Sequence, residues 1–128
     1  MLEMVSIVAI EMNICREKCL EYLDRLKIKY CIPPLFLMIF ILKLLLKEPM
    51  HGYQITERLN EILNVNVQRQ VIYFVLRKQE DAGLVKSMWT YKQESKPRKI
   101  YSITESGKEF LHYIVPYLKS LLDMVEYL

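Results

Sequence analysis

The chain has 128 residues, 52% of them apolar and 26% charged, with a formal net charge of +3; this is one domain's worth of protein, inclined to lean on a partner subunit for part of its core. So small a net charge does not announce nucleic acid by itself, so the distribution of charge has to decide. Three glycines, Gly52, Gly83 and Gly107, with no phosphate-cradling loop and no nucleophile, base and orienting carboxylate forming a motif, argue against an enzyme.

From about Leu2 to Lys29, Val5, Val8, Met12, Cys15, Cys19, Tyr22 and Leu26 recur at steps of three and four, which predicts a helix with one apolar seam. Glu17, Glu21 and Arg25 occupy the opposite face, the last two one turn apart in the favourable acid-first order. Cys15 and Cys19 lie on the seam and read as small buried hydrophobes in a packed interface. A zinc site normally needs four ligands, and neither His51 nor His112 is spaced to complete one. With Cys31 the cysteines are odd in number. The first cation is Arg16, and no apolar core with a small-residue cleavage site follows it, so a reducing cytoplasm is expected.

Pro33 and Pro34 end that helix, and a second, apolar nearly all round, runs from about Leu35 to Lys47 until Pro49 stops it. Its apolar run is shorter than the ~20 residues a bilayer core demands, so it is expected in the middle of the fold. Gly52 to Asn64 is the next helix, with Ile55, Leu59 and Ile62 inward. Asn66 then offers an N-cap for a helix from Val67 to Ala82. Around that helix Val67, Val71, Ile72, Phe74, Val75 and Leu76 are placed inward, while Arg69, Gln70, Tyr73 and Arg77 share one quarter of the circumference. Gly83 supplies the left-handed residue that lets the chain leave.

Leu84 to Lys92 and Arg98 to Thr104 are rich in Val, Trp, Tyr, Ile and Thr and flank Gln93-Glu94-Ser95-Lys96-Pro97, the pattern of a hairpin. Thr104 caps a last helix with Glu105 near its positive end. Leu111, Ile114, Leu118, Leu121, Val125 and Leu128 repeat the three-four spacing, interrupted by Pro116, which removes a helical hydrogen bond at about 3 kcal/mol. Charge is concentrated in the middle of this order. Between Asn66 and Lys99 eight cations (Arg69, Arg77, Lys78, Lys86, Lys92, Lys96, Arg98, Lys99) stand against Glu80, Asp81 and Glu94, a local charge of +5.

Three blocks in order, Pro49-Met50-His51-Gly52-Tyr53, then Tyr73, Leu76, Glu80 and Gly83-Leu84-Val85, then Pro97-Arg98-Lys99-Ile100-Tyr101-Ser102-Ile103-Thr104-Glu105-Ser106-Gly107, resemble the PadR family of winged-helix transcriptional regulators. The resemblance covers a little under half the chain. It implies a mainly α (α+β) fold: a winged helix-turn-helix with a two-stranded wing and long N- and C-terminal dimerisation helices. The expected divisions are 1–31 for the N-terminal helix, 32–104 for the winged helix-turn-helix and 105–128 for the C-terminal helix. It also implies that Tyr73 lies at a DNA-facing surface. The chain departs from the family pattern at Gln68 to Val71, where Ser-Pro-Gly-Thr is usual, and at Gln79, where Leu is usual. Its one tryptophan, Trp89, is in the first wing strand and not in the last helix, so a tryptophan-lined drug site at the dimer interface is not supported.

A helix in the major groove reads base edges with its N-terminal residues. Arg69 suits guanine, and Gln68 or Gln70 suits adenine. Arg77, Lys92, Lys96, Arg98 and Lys99 suit phosphates. With Tyr73, these nine are the expected DNA contacts, and Val5, Val8, Met12, Cys15, Cys19, Leu111, Ile114, Leu118, Leu121 and Val125 the expected dimer interface. The reading is a cytoplasmic, homodimeric repressor on a pseudo-palindromic double-stranded operator, with no cofactor and no metal. A small-molecule effector is left open. The rivals are a winged-helix protein-interaction module that has lost specific DNA binding, supported by the lost Ser-Pro-Gly-Thr block, and a peripheral membrane protein using Leu35 to Leu46.

Overall fold

A computed structural model describes residues 17–26, 32–91 and 96–128. Residues 17–25 are helical (α1). There follow α2 (Pro34–Lys47), β1 (Met50–His51), α3 (Gly52–Leu63), α4 (Arg69–Asp81), β2 (Val85–Thr90), β3 (Arg98–Ile103) and α5 (Glu105–Tyr127). The expected positions Val5, Val8, Met12, Cys15, Cys31 and Lys92 lie outside the described residues.

Helix α2 is the axis of the fold. Pro33 and Pro34 preset its entry, and Leu37, Ile39, Ile41, Leu42, Leu44 and Leu45 are all buried, so neighbours cover it on most sides. Against it pack α3, α4, α5 and β3, and Ile55, Leu59, Ile72, Leu76, Val85, Tyr101 and Leu111 complete one cluster. Among the described residues no helix is long and apolar enough to cross a membrane.

The sheet is antiparallel in the order β1-β3-β2. The long pair sets Val85 opposite Ile103 and Trp89 opposite Lys99. Gly83, at φ +78°, makes the exit from α4, and the Leu84 N–H donates to the Gln79 carbonyl at 2.8 Å. Thr104 holds the other end of the hairpin. Its hydroxyl donates to the Gly83 carbonyl at 2.6 Å and accepts from the Gly107 N–H at 3.0 Å, so one side chain both ties the wing to the end of α4 and caps α5. Pro116 sits inside α5, as its position in the chain requires.

Several expectations are corrected. The two-stranded wing is as expected, and a third strand, β1, only two residues long, is added beside β3; so short a segment carries no alternation to read. Helix α4 begins at Arg69 with Gln68 as an extended, side-chain-free cap. Asn66 is not that cap. Instead Asn60 captures the loop: its amide accepts from the Val67 N–H at 2.8 Å and donates to the Val67 carbonyl at 3.0 Å, holding Val67 out of the helix. Ile62 is exposed and Leu63 buried, because Leu63 continues the row of Ile55 and Leu59 at the last turn. Phe74 is also exposed; Ile72, Val75 and Leu76 fill the inward face without it. On the single chain Cys19 is a free, exposed thiol, alongside the exposed Leu20, Tyr22 and Leu26.

Candidate nucleic-acid interface

The N-terminus of α3, the first turns of α4 and the outer half of the wing, next to its turn, meet around one groove of about 580 Å³. It is lined by His51, Gly52, Tyr53, Arg69, Tyr73, Trp89, Lys96, Pro97, Arg98, Lys99 and Tyr101. Each element has a local reason to be there. β1 pairs with β3 through Met50 to Tyr101 and His51 to Ile100, which brings the start of α3 beside the wing. Gly52 then admits the Tyr73 ring against the backbone of α3, since a Cβ at that position would overlap the ring. Below that contact α3 and α4 share the core through Ile55, Leu59, Ile72 and Leu76.

His51 starts α3 with a capping box. Its Nδ1 accepts from the Gln54 N–H and the Gln54 side-chain oxygen accepts from the His51 N–H, both at 3.2 Å. Its other ring nitrogen, Nε2, lies 3.0 Å from Arg98 Nη1. A neutral imidazole has one acceptor nitrogen, so it can accept from Gln54 or from Arg98 but not from both. The guanidinium of Arg98 is exposed, and a neutral imidazole leaves its charge uncompensated. Burial, and after it the charge of Arg98, holds the His51 pKa below its usual 6.5, against an opposing pull from Glu57. The ring stays neutral and adds no charge of its own to the groove.

Of the nine expected DNA contacts, five line this groove: Arg69, Tyr73, Lys96, Arg98 and Lys99. Gln68, Arg69, Gln70 and Tyr73 line a second, more open groove of about 800 Å³ shared with Tyr53, Thr56 and Asn60. Arg69 and Tyr73 belong to both, so the two are continuous across the N-terminal end of α4. Arg77 is exposed but lines neither. Lys99 is drawn back to the body of the protein, 3.5 Å from Glu80 and with its ammonium 5.6 Å from the centre of the Tyr101 ring. Burial raises the Tyr101 phenol above its ordinary pKa, so that ring is a neutral wall. Among the described residues that line this groove, Lys96 and Arg98 are the cations whose charge no carboxylate or ring engages, Arg69 lying over the Tyr53 ring.

Three residues of the site were missed in the sequence. Tyr53 lies 5.5 Å under the Arg69 guanidinium carbon. His51 stacks on Tyr53 with ring centres 6.3 Å apart and planes 22° from parallel. Trp89 presents its ring to the groove from β2 and is 54% exposed. Trp89 carried a signal as an aromatic in a strand that alternates poorly, and His51 and Tyr53 only as members of the block Pro49 to Tyr53 that carries the family resemblance. The other two lie a helix away from the charged segment. Among the described residues no group of three or more His, Cys, Asp or Glu gathers as a metal site would need.

At the far end, Leu111 is buried within the chain's own core and Ile114 and Leu118 pack against that core. Leu121 and Val125 are exposed, with Tyr113, Tyr117, Leu122 and Met124.

The model of the "Transcriptional regulator PadR-like family" matches residues 41–113. No curated protein matches the chain. Among solved structures, a PadR-like transcription factor from Bacteroides fragilis is 28% identical at a TM-score of 0.67, covering 73% of this chain and 90% of its own. A PadR family transcription regulator from Clostridium difficile is 26% identical at 0.63, covering 72% and 96%. Bacillus subtilis PadR, solved in complex with operator DNA, is 33% identical at 0.57, covering 62% of this chain and 47% of its own.

Proposed function

The chain belongs to the PadR-like family of transcriptional regulators, and from that premise we propose that it is a homodimeric repressor that binds a pseudo-palindromic double-stranded operator in the cytoplasm. The observation that carries the reading is the convergence of Arg69, Tyr73, Lys96 and Arg98 on one face, in a chain similar to a regulator solved on operator DNA. The first turn of α4 enters the major groove, with Gln68, Arg69 and Gln70 at base edges, and Lys96 and Arg98 meet the phosphate backbone beside it. Arg77 and Lys92 serve as further phosphate contacts. A division into an N-terminal helix (1–31), a winged helix-turn-helix (32–104) and a C-terminal helix (105–128) accompanies this proposal.

Two copies are required for a palindrome. The exposed Leu121 and Val125 on α5 and Leu20 and Leu26 beside Cys19 at α1 are apolar surface that a second copy would cover. The experiment is selection of duplex fragments from the source genome on immobilised protein, followed by anisotropy titration of the recovered duplexes at several salt concentrations. A symmetric motif bound well above a shuffled duplex is the expected result. Equal, salt-insensitive affinity for both would favour the protein-interaction reading.

A further inference from the structure

Arg69 is the first residue of α4 and is exposed, yet it does not float free. Its guanidinium carbon stands 5.5 Å over the centre of the Tyr53 ring. Tyr53 is itself fixed. It sits in the first turn of α3, next to the capping box that His51 forms with Gln54, and its ring stacks on the His51 imidazole. One turn on, Glu57 is the main influence on the phenol and raises its pKa, so the hydroxyl keeps its proton. A chain of contacts thereby runs from Arg98 on the wing through His51 and Tyr53 to Arg69 on α4.

We propose that Tyr53 is a positioning residue for base recognition: it holds the Arg69 guanidinium by one face, in the orientation in which its edge reads guanine. The inference rests on the reading of α4 as the base-reading helix. Its physical basis is that the two interactions use different parts of one group. An aromatic ring takes the flat face of a guanidinium, and the N–H donors lie in the plane and remain available. Those in-plane donors are the ones that meet the two acceptors on a guanine edge. An arginine also carries about 2 kcal/mol of side-chain entropy, which a base contact would have to overcome. Resting the group on a fixed ring in the free protein removes part of that loss before DNA arrives.

The test uses the full-length protein, the tightest duplex recovered from the selection above and a shuffled duplex of the same composition. Tyr53→Leu removes the ring, Tyr53→Phe keeps the ring and removes only the hydroxyl, and Arg69→Ala removes the reader. Tyr53→Leu should lower the ratio of the two affinities about two- to fivefold, the worth of an exposed cation–ring contact, and leave the salt slope unchanged. Tyr53→Phe should keep the parent ratio. Tyr53→Leu combined with Arg69→Ala should lose no more than Arg69→Ala alone. In the free protein, NMR relaxation of the Arg69 Nε–H should report an ordered group in the parent and in Tyr53→Phe, and a mobile one in Tyr53→Leu.

Parent-like discrimination in Tyr53→Leu, with Arg69→Ala defective, would overturn the positioning role and leave base reading by Arg69 intact. Tighter operator binding in Tyr53→Leu would overturn it too, since the ring would then be restraining Arg69 away from DNA. No loss in Arg69→Ala would remove the base-reading premise itself.

Discussion

The ring of Tyr73 fills the space where residue 52 would carry a side chain: a Cβ on Gly52 would stand 2.7 Å from Tyr73 Cζ and 2.9 Å from its hydroxyl oxygen. Gly52 is the first residue of α3, and its backbone has no need of glycine's freedom there. What the glycine supplies is closeness between α3 and α4. Alanine is the better helix former by up to about 1 kcal/mol, so Gly52→Ala should show that gain only when the ring is absent. In the parent the substitution should be neutral or destabilising, because the ring must swing away. In a Tyr73→Ala background it should stabilise. A double-mutant cycle on urea unfolding measures the coupling, and additive effects would mean that the ring and the glycine are independent.

Gln79 is 1% exposed in the middle of an apolar core. Its Nε2 donates to the Met38 carbonyl at 3.0 Å, and its Oε1 has no hydrogen-bond partner among the described residues. A buried acceptor left without a partner costs about 1 to 3 kcal/mol, whereas a typical hydrogen bond contributes about 1. Gln79→Leu, close in volume, should therefore stabilise the protein by about 1 kcal/mol, seen as a higher urea midpoint at unchanged slope. A lower midpoint would show that the tie between α4 and α2 outweighs the orphaned oxygen.

Much of this arrangement was legible in the chain, and the failures have physical reasons. The helices α3 and α5 follow from strong periodic patterns behind a glycine and a threonine cap, and α2 from a continuous apolar run between prolines. The hairpin follows from β-branched and aromatic runs around Gln93 to Pro97. The start of α4 was placed two residues early because the competitor for Val67 is the side chain of Asn60, seven positions back and invisible to local capping rules. The free and engaged cations of the wing could not be separated in sequence either. Lys99 and Arg98 are neighbours, but alternation in β3 sends one toward Glu80 and the other toward His51. The roles of His51 and Tyr53 depend on the two-residue strand β1 placing the start of α3 against β3, and nothing in their own spacing announces it.

His51 gives stability a pH dependence of known sign. Its folded pKa lies below the ordinary 6.5, so in the window between the two values the unfolded chain binds the extra proton more readily than the folded one. Stability from this group is then complete above 6.5 and is lost as the pH falls through the lower folded value. The same proton removes the acceptor that Nδ1 offers to the Gln54 N–H. His51→Asn keeps a good helix cap without the titration. The urea midpoint of the parent should drop between about pH 7.5 and 5.5 by more than that of His51→Asn. Parallel curves would show that His51 titrates alike folded and unfolded.

The last turns of α5 carry Leu121 and Val125 in the open, whereas Leu118 packs against the chain's own core. Leu121→Glu with Val125→Glu therefore separates assembly from folding better than any change at Leu111 or Leu118. Light scattering should find a monomer whose helical circular dichroism is close to the parent's. A dimer of unchanged tightness would take this end of α5 out of the interface.

The wing and the helix should fail in different ways. Lys96 and Arg98 are exposed beside the groove, and the imidazole beside Arg98 is neutral and leaves its charge uncompensated. Lys99 is different, committed to Glu80 at 3.5 Å. A lysine or arginine on a phosphate contributes affinity without regard to sequence, and each such contact steepens the fall of log affinity with log salt by about one unit. Lys96→Ala with Arg98→Ala should therefore weaken binding to the selected and the shuffled duplex alike, and should lower that slope by up to about 2. Lys99→Ala should change it far less. The comparison needs only anisotropy titrations at several salt concentrations, with both duplexes for each variant. A Lys99→Ala slope change as large as that of the double variant would mean that the ion pair with Glu80 opens on DNA. No slope change in the double variant would move the phosphate contacts away from the turn end of the wing.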